Sequence, residues 1–346
     1  MGYHILLYVI LCAAALLPAR AEPPRIPVLD AAAVPHLGAE GREDYARFLL
    51  QATPRAFALS PEGAWGWAAA LPDSASTAAR AVALCASWGG SGCRVYAQDL
   101  AVVWPGQESP APPRAPAAPV EAGAGWSLVP DGRFLWQGPQ VARGAYVWAH
   151  GRAAGGQDSR GSQPQPHVRV FNNAGYDVLR FDRDPLTDET DTAADWLKRA
   201  LQTLRAQGYG RIVIGGQSRG AWNALQALDT PGLVDGVVAV APAAHGATGS
   251  PAWAWALDDL RRVIEAARSP RARVIVANFA QDEFDPDPDR RAVLFRSLAA
   301  PRTGALLFLD RPREVTGHGG GADAQFTLRY GGCLLEFVEG RAVGCG

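Results

Sequence analysis

Residues 211–221 read Arg-Ile-Val-Ile-Gly-Gly-Gln-Ser-Arg-Gly-Ala, and the fold turns on how this stretch is read. Arg211–Ile214 is a short β-branched run suited to a buried strand, and from Ala221 to Leu228 the pattern is helical. Between them, Gly216-Gln217-Ser218-Arg219-Gly220 leaves almost no chain for the reversal. A serine in so tight a strand-to-helix turn occupies a strained backbone conformation, so the residues two before and two after it must be small. Gly216 and Gly220 meet that demand, and Gly215 and Ala221 extend it. The helix amino terminus behind Ser218 offers N–H groups and a positive dipole to a developing oxyanion. The five residues alone are a weak signal, and the strand before and helix after them give it weight. The competing reading is a glycine-rich turn with a solvent-facing serine.

A serine nucleophile needs a base, and the chain has six histidines. His4 and His36 lie near the amino terminus, His150 and His167 precede Ser218, and His245 and His318 follow it. For this class of turn the chain order is serine, acid, histidine. His318, in Gly317-His318-Gly319-Gly320-Gly321, is the histidine late enough to follow an acid loop. The acid is expected just beyond the apolar run Ala272–Phe279, where the chain reads Gln281-Asp282-Glu283-Phe284-Asp285-Pro286-Asp287. Asp282 is the first choice to orient His318, and Asp285 is the second. The remaining carboxylates of this loop read as a solvated face. At the end of the run Ala145–Ala149, His150-Gly151-Arg152 forms a His-Gly turn. Such a turn supplies one oxyanion N–H, from Arg152, to join the N–H of Arg219, with His150 as a structural residue.

Outward from this centre, apolar runs at Ala145–Ala149, Tyr176–Phe181, Arg211–Ile214, Gly236–Val240, Ala272–Phe279 and Ala305–Leu309 alternate with helical stretches. These stretches are Thr190–Gln207, Ala221–Leu228, Trp253–Ala267 and Arg290–Ala299. The alternation predicts an α/β fold with a mostly parallel sheet covered on both faces, and chemistry in loops at the carboxyl ends of its strands. Phe326, Tyr330, Leu334 and Phe337 repeat at helical spacing and form the core face of a final helix. The segment Ala153–Gln165 is long for a connection and makes Arg160 and His167 candidate substrate contacts, with a solvated loop as the equal alternative. Trp253 and Trp255 are candidate walls of an acyl pocket, the alternative being packing at the start of a helix.

With the His-Gly turn, the elbow at 216–220, the acid loop and Gly317-His318 in place, residues 126–346 resemble the α/β-hydrolase superfamily, in particular its dienelactone-hydrolase-like and esterase-type serine hydrolases. The resemblance implies an eight-stranded, mostly parallel sheet and cleavage of an ester, thioester or amide through an acyl-enzyme, with Ser218, Asp282 and His318 as the triad. Arg219, a bulky cation beside the nucleophile, departs from the usual pattern and leaves the substrate class open. The short segment from Pro242 to Pro270 has no room for a large lid and favours small or accessible substrates.

The amino-terminal third is organised differently. Ile5–Leu17 is almost wholly apolar and ends at Pro18-Ala19-Arg20-Ala21, which reads as a secretory signal at 1–21, with an uncleaved anchor as the alternative. About thirteen residues reach only about 20 Å as a helix, short of a bilayer core of about 30 Å. Residues 22–42 are rich in Pro and Ala and are expected as an extended arm. Residues 43–104 alternate short strand and helix signals and are expected as a small α+β module; its resemblance to small cysteine-paired domains of exported bacterial proteins carries no catalytic residue. Residues 105–125, with Pro105, Pro110, Pro112, Pro113, Pro116 and Pro119, read as a semi-rigid linker. Once Cys12 leaves with the signal, Cys85, Cys93, Cys333 and Cys345 remain, and their spacing predicts the local disulfides 85–93 and 333–345. A periplasmic or secreted location follows from these features.

Composition narrows the partners. Among 346 residues, 33 Lys and Arg against 34 Asp and Glu leave no positive surplus for a phosphate backbone, so nucleic acid is not an expected partner. The 48% hydrophobic content excludes a chain disordered throughout. No cysteine pair has zinc-site spacing, Gly215-Gly216 is followed by no Walker lysine, and Gly317–Gly321 lacks a dinucleotide fingerprint, so neither metal nor cofactor is expected. The partner expected is a small-molecule ester or peptide-like substrate. Three functions follow: an exported serine hydrolase of carboxylic esters, a serine peptidase or amidase with the same triad, and a non-catalytic binding protein on a hydrolase scaffold.

Overall fold

In the computed structural model, residues 26–110 and 112–345 are described; the signal segment at 1–21 lies outside the described residues. Two sheets organise them. The smaller, in strand order β2-β1-β3-β4, is antiparallel and built from β1 (Arg55–Leu59), β2 (Trp65–Ala69), β3 (Arg94–Gln98) and β4 (Ala101–Val102). One face packs Phe57, Leu59 and Tyr96 against Tyr45 and Phe48 of α1 (Ala39–Phe48), and the other packs Ala56 and Ala58 against Ala81 and Cys85 of α2 (Ser74–Ser87). Every residue of β1 is therefore buried. Cys85 at the end of α2 is bonded to Cys93 beside β3, which ties helix to sheet. Residues 26–42, expected as an extended arm, instead form two 3-10 turns and the start of α1, and bury Val28, Val34 and Leu37 in this core. Three branched apolar side chains outweigh the extended bias of the prolines around them.

The larger sheet has eight strands in the order β12-β11-β10-β9-β7-β8-β6-β5. They are β5 (Glu121–Gly123), β6 (Trp126–Pro130), β7 (Gly144–Ala149), β8 (Tyr176–Arg183), β9 (Ile212–Gln217), β10 (Gly236–Val240), β11 (Ser269–Asn278) and β12 (Thr303–Asp310). From β8 to β12 every pairing is parallel, whereas β6 runs antiparallel to both β5 and β8. β5 falls within the stretch read as linker: its three residues pair with β6, so the proline-rich segment ends in the sheet. One face is covered by α3 (His167–Asn173) and, after the last strand, α8 (Ala324–Val338), with Phe171, Phe326 and Leu334 in its core. The other carries α4 (Thr190–Ala206), α5 (Arg219–Gln226), α6 (Ala256–Ala266) and α7 (Pro288–Arg296), with Leu201, Trp222, Ile264 and Phe295 buried beneath them. This is the α/β class that the alternating runs predict, and α8 buries Phe326, Tyr330, Leu334 and Phe337 as their spacing requires. The helix expected from Trp253 begins later, at Ala256, after one 3-10 turn. Cys333 of α8 is bonded to Cys345 in the tail that follows it. No helix among the described residues is long and apolar enough to cross a membrane.

Candidate active site

β9 and α5 meet at Ser218, whose φ of 55° and ψ of −120° lie in a region that residues with side chains rarely adopt. Holding a residue there costs roughly 1–3 kcal/mol, so the surroundings must over-determine it. They do: Ser218 N–H donates to Val240 O at 3.1 Å, while Ser218 O accepts from Ala243 N at 3.2 Å and Trp222 N at 3.0 Å. The flanking glycines are required by space. A Cβ on Gly220 would lie 1.9 Å from Ala149 O, and one on Gly216 would lie 2.5 Å from the Gly220 carbonyl carbon. A side chain on Gly220 would push α5 away from β7, and one on Gly216 would push α5 away from β9.

His318 enters from the loop after β12. Its Nδ1 is 2.9 Å from Asp282 Oδ1 and 3.0 Å from Oδ2, and since an ionised carboxylate only accepts, Nδ1 carries the proton. Asp282 Oδ1 also accepts from Phe284 N at 2.9 Å, which fixes the carboxylate, and the Phe284 ring covers the imidazole at 4.1 Å between centroids. His318 Nε2 is buried and has no hydrogen-bond partner among the described residues. The histidine loop is tied to the elbow by Gln217 Nε2 donating to His318 O at 3.3 Å. The structure thus brings Asp282 and His318 into contact beside the elbow, with the Nε2-to-hydroxyl hydrogen bond unmade, as is frequent in sites without substrate. Asp285, the second choice for the acid, is 3.2 Å from the buried Arg291 guanidinium and turned away from His318; burial raises its pKa.

The His-Gly turn is built as a brace. His150 Nδ1 donates to Gly151 O at 2.7 Å and Nε2 accepts from Arg183 N at 3.0 Å, which sets a neutral tautomer. Burial, then the nearby Arg183 charge, lower its pKa to about 4. Arg183 in turn donates to His150 O at 2.5 Å and to Asp188 Oδ1 at 3.0 Å. Arg219, the bulky cation beside Ser218 that left the substrate class open, is held by its guanidinium donating to Asp188 O at 3.0 Å and Ala244 O at 3.1 Å. Its side chain closes the cleft floor and its backbone N–H, at the first position of α5, stays free of intrahelical bonding. Neither Arg183 nor Asp188 carries a motif signal; their role follows from proximity that only folding creates.

Arg152, Ser218, Arg219, Ala243, His245 and Phe284 line one cleft of about 690 Å³. His245 also belongs there, its Nε2 2.6 Å from Asp259 Oδ2. Four residues expected as substrate contacts sit elsewhere. His167 is fully buried, bonded to the Tyr146 hydroxyl at 3.2 Å and packed against Trp148 and Phe326, and burial lowers its pKa to about 3. Its place at the start of α3 points it into the core, where sequence had suggested a loop. Arg160 is engaged by Asp158 at 2.6 Å and Asp184 at 3.4 Å. Trp255 is 60% exposed, and Trp253 is half-buried beside it; the cleft wall at this point is Ala252. No group of His, Cys, Asp and Glu able to hold a metal ion occurs among the described residues.

No family model matches the chain, and neither does any curated protein. Among solved structures, it is similar to a puromycin hydrolase (16% identity, 64% of this chain and 38% of that one, TM-score 0.46). It is also similar to an esterase of Pyrococcus furiosus (14% identity, 62% and 86%, TM-score 0.43). A third is a truncated carbohydrate esterase from gut microbiota (14% identity, 62% and 90%, TM-score 0.46). The chain spans about two fifths of the puromycin hydrolase. The parallel strands in this order, the antiparallel edge, the helices on both faces and the strained strand-to-helix elbow after β9 make this an α/β fold with a mostly parallel eight-stranded sheet.

Proposed function

We propose that the protein is an exported serine hydrolase that cleaves a carboxylic ester through an acyl-enzyme. The observation that carries this reading is the pairing of His318 with Asp282 next to a serine held at positive φ. In the reaction, Ser218 Oγ attacks the ester carbonyl carbon while His318 Nε2 takes the hydroxyl proton. Asp282 holds Nδ1–H and stabilises the imidazolium. The carbonyl oxygen becomes an oxyanion, accepted by the N–H groups of Arg219 and Arg152. Collapse of the tetrahedral intermediate breaks the carbon–oxygen bond, and the alcohol leaves with the proton from His318. A water then repeats the attack on the acyl-enzyme, with His318 again as base, and releases the acid.

An open cleft walled by Ala243, Ala244, Ala247 and Ala252, with one 3-10 turn and α6 between β10 and β11, favours small or accessible esters. The two disulfides support export to the periplasm or beyond, where thiols oxidise. The test is labelling with a fluorophosphonate followed by peptide mapping. The expected adduct is on Ser218, lost in Ser218→Ala and strongly reduced in His318→Ala. Folded wild-type protein that takes no label would overturn the assignment in favour of a binding scaffold. Parallel assays on nitrophenyl esters and aminoacyl anilides separate esterase from peptidase: the proposal requires the esters to turn over faster.

A further inference from the structure

The opposite edge of the same sheet carries a second polar concavity that the hydrolytic reaction does not use. Arg143 immediately precedes β7, Arg211 immediately precedes β9, and Glu339 and Arg341 follow α8. These four line a pocket of about 430 Å³ with Gly210. β7 has six residues, so this pocket lies about 20 Å along the strand from the His-Gly turn. At its floor the Glu339 side chain is only 5% exposed. Arg143 binds Glu339 Oε1 at 2.8 Å, Arg341 binds Oε2, and the Tyr176 hydroxyl donates to Oε1 at 3.3 Å. Arg211 lies against the same Tyr176 hydroxyl. Asp235, the other carboxylate within electrostatic reach of Arg211, is taken by Arg205.

Three guanidinium groups therefore stand around one carboxylate, with only Arg143 and Arg341 bound to it, and the concavity carries a surplus of two positive charges. Arg143 and Arg341 are 42% and 51% exposed, so donors not spent on Glu339 face the opening. The planar guanidinium fork matches tetrahedral oxyanions, each charge-assisted bond being about twice as strong as a neutral one. The tail that presents Arg341 is held to α8 by the Cys333–Cys345 disulfide, so this arm of the site is placed before a ligand arrives. We propose that this pocket binds a dianionic oxyanion of the phosphate class, between Arg143, Arg211 and Arg341, on the face remote from the cleft. The ligand is either free phosphate or a phosphate group borne by a lipid.

The experiment is calorimetric titration of the full chain with inorganic phosphate at fixed ionic strength in chloride. Wild type is expected to bind one equivalent, Arg341→Ala to bind about tenfold more weakly, and Arg143→Ala with Arg341→Ala not to bind measurably. Glu339→Gln removes the competing carboxylate and is expected to tighten binding several-fold, a gain that a merely structural carboxylate would not produce. Ester hydrolysis and circular dichroism, unchanged in Arg341→Ala, show that the variant is folded. Co-sedimentation with vesicles containing phosphatidic acid, whose phosphate monoester is dianionic, but not with phosphatidylcholine vesicles, lost in the double variant, assigns the lipid source. Phosphate binding without vesicle binding assigns the free ion. Absence of phosphate binding in wild type, or equal binding in wild type and the double variant, overturns the site.

Discussion

Two histidine–carboxylate pairs lie close to the elbow, His245 on the cleft wall and His318 behind the Phe284 ring that lines it, and they are wired in opposite senses. His318 is held to Asp282 through Nδ1, which leaves Nε2, at the far tip of the ring, free for a reacting group. His245 is held to Asp259 through Nε2, which leaves Nδ1 on the backbone side of the ring, buried. Asp259 is also shared with Arg262, whereas Asp282 Oδ1 takes the Phe284 N–H besides the imidazole. Desolvation, then the Arg219 charge, lower the His245 pKa, so this ring stays neutral and packs edge-on against Trp222. A short distance to a carboxylate thus does not identify a general base. The nitrogen left over, and what it faces, does.

The comparison breaks if the two pairs respond alike to substitution. Ser218→Ala and His318→Ala are each expected to lower kcat for a nitrophenyl ester by roughly 10³- to 10⁶-fold with fold retained, as for residues acting as one unit. Asp282→Asn, which retains the shape but offers the wrong tautomer, is expected to cost roughly 10²- to 10⁴-fold in kcat with little change in KM. His245→Gln is expected at the other extreme, within about threefold in kcat, with any loss showing as thermal stability. A large kcat loss there, at unchanged stability, would make His245 the base and unseat His318.

Two further histidines sharpen the contrast through pH. His150 and His167 are neutral in the fold with pKa values of about 4 and about 3, against about 6.5 in the unfolded chain. The unfolded state therefore binds more protons below that value. Their contribution is fully present above about pH 6.5 and is lost as pH falls through about 4 to 3. Asp177, raised to about 6 by burial, works in the opposite sense between its unfolded value and 6, with the smaller shift. Urea melts between pH 7 and 4 should therefore show declining stability of roughly 3 kcal/mol from His150 alone. His150→Gln should start lower at pH 7 and flatten the decline. An identical pH slope in that variant would remove His150 as its source. The smallest expected effect concerns the amino-terminal module: Cys85→Ser with Cys93→Ser should lower its stability by about 2–3 kcal/mol and leave ester hydrolysis near wild type.

How much of this was visible in the linear chain depends on how far apart the deciding residues lie. The elbow was legible because its demand is local: two glycines flank a serine between a strand and a helix. The parallel sheet was legible because strands buried on both faces must be apolar throughout, as Val237–Val240 are. The edge was not, since the register of β5 on β6 is set by pairing across a proline-rich stretch with little pattern of its own. Residues 26–37 read as extended because their prolines are local signals, while the burial of Val28 and Val34 under Tyr45 is a long-range outcome. The site chain Arg183–Asp188–Arg219 was hidden for the same reason, as were Phe284 over His318 and the inward turn of His167. Arg219 illustrates the general point: sequence gives the side chain's identity beside Ser218, and only packing gives its direction.

The alanines at 153, 243, 244, 247 and 252 give the cleft a lining of single methyl groups. Such a lining is a blank template: each side chain can be lengthened on its own, and none of these side chains donates, accepts or holds charge, the hydrogen bonds of Ala243 and Ala244 being made by backbone. Exchanging one methyl for an isobutyl or benzyl group would narrow the cleft without altering Ser218, so the room open to a bound molecule is set one wall residue at a time.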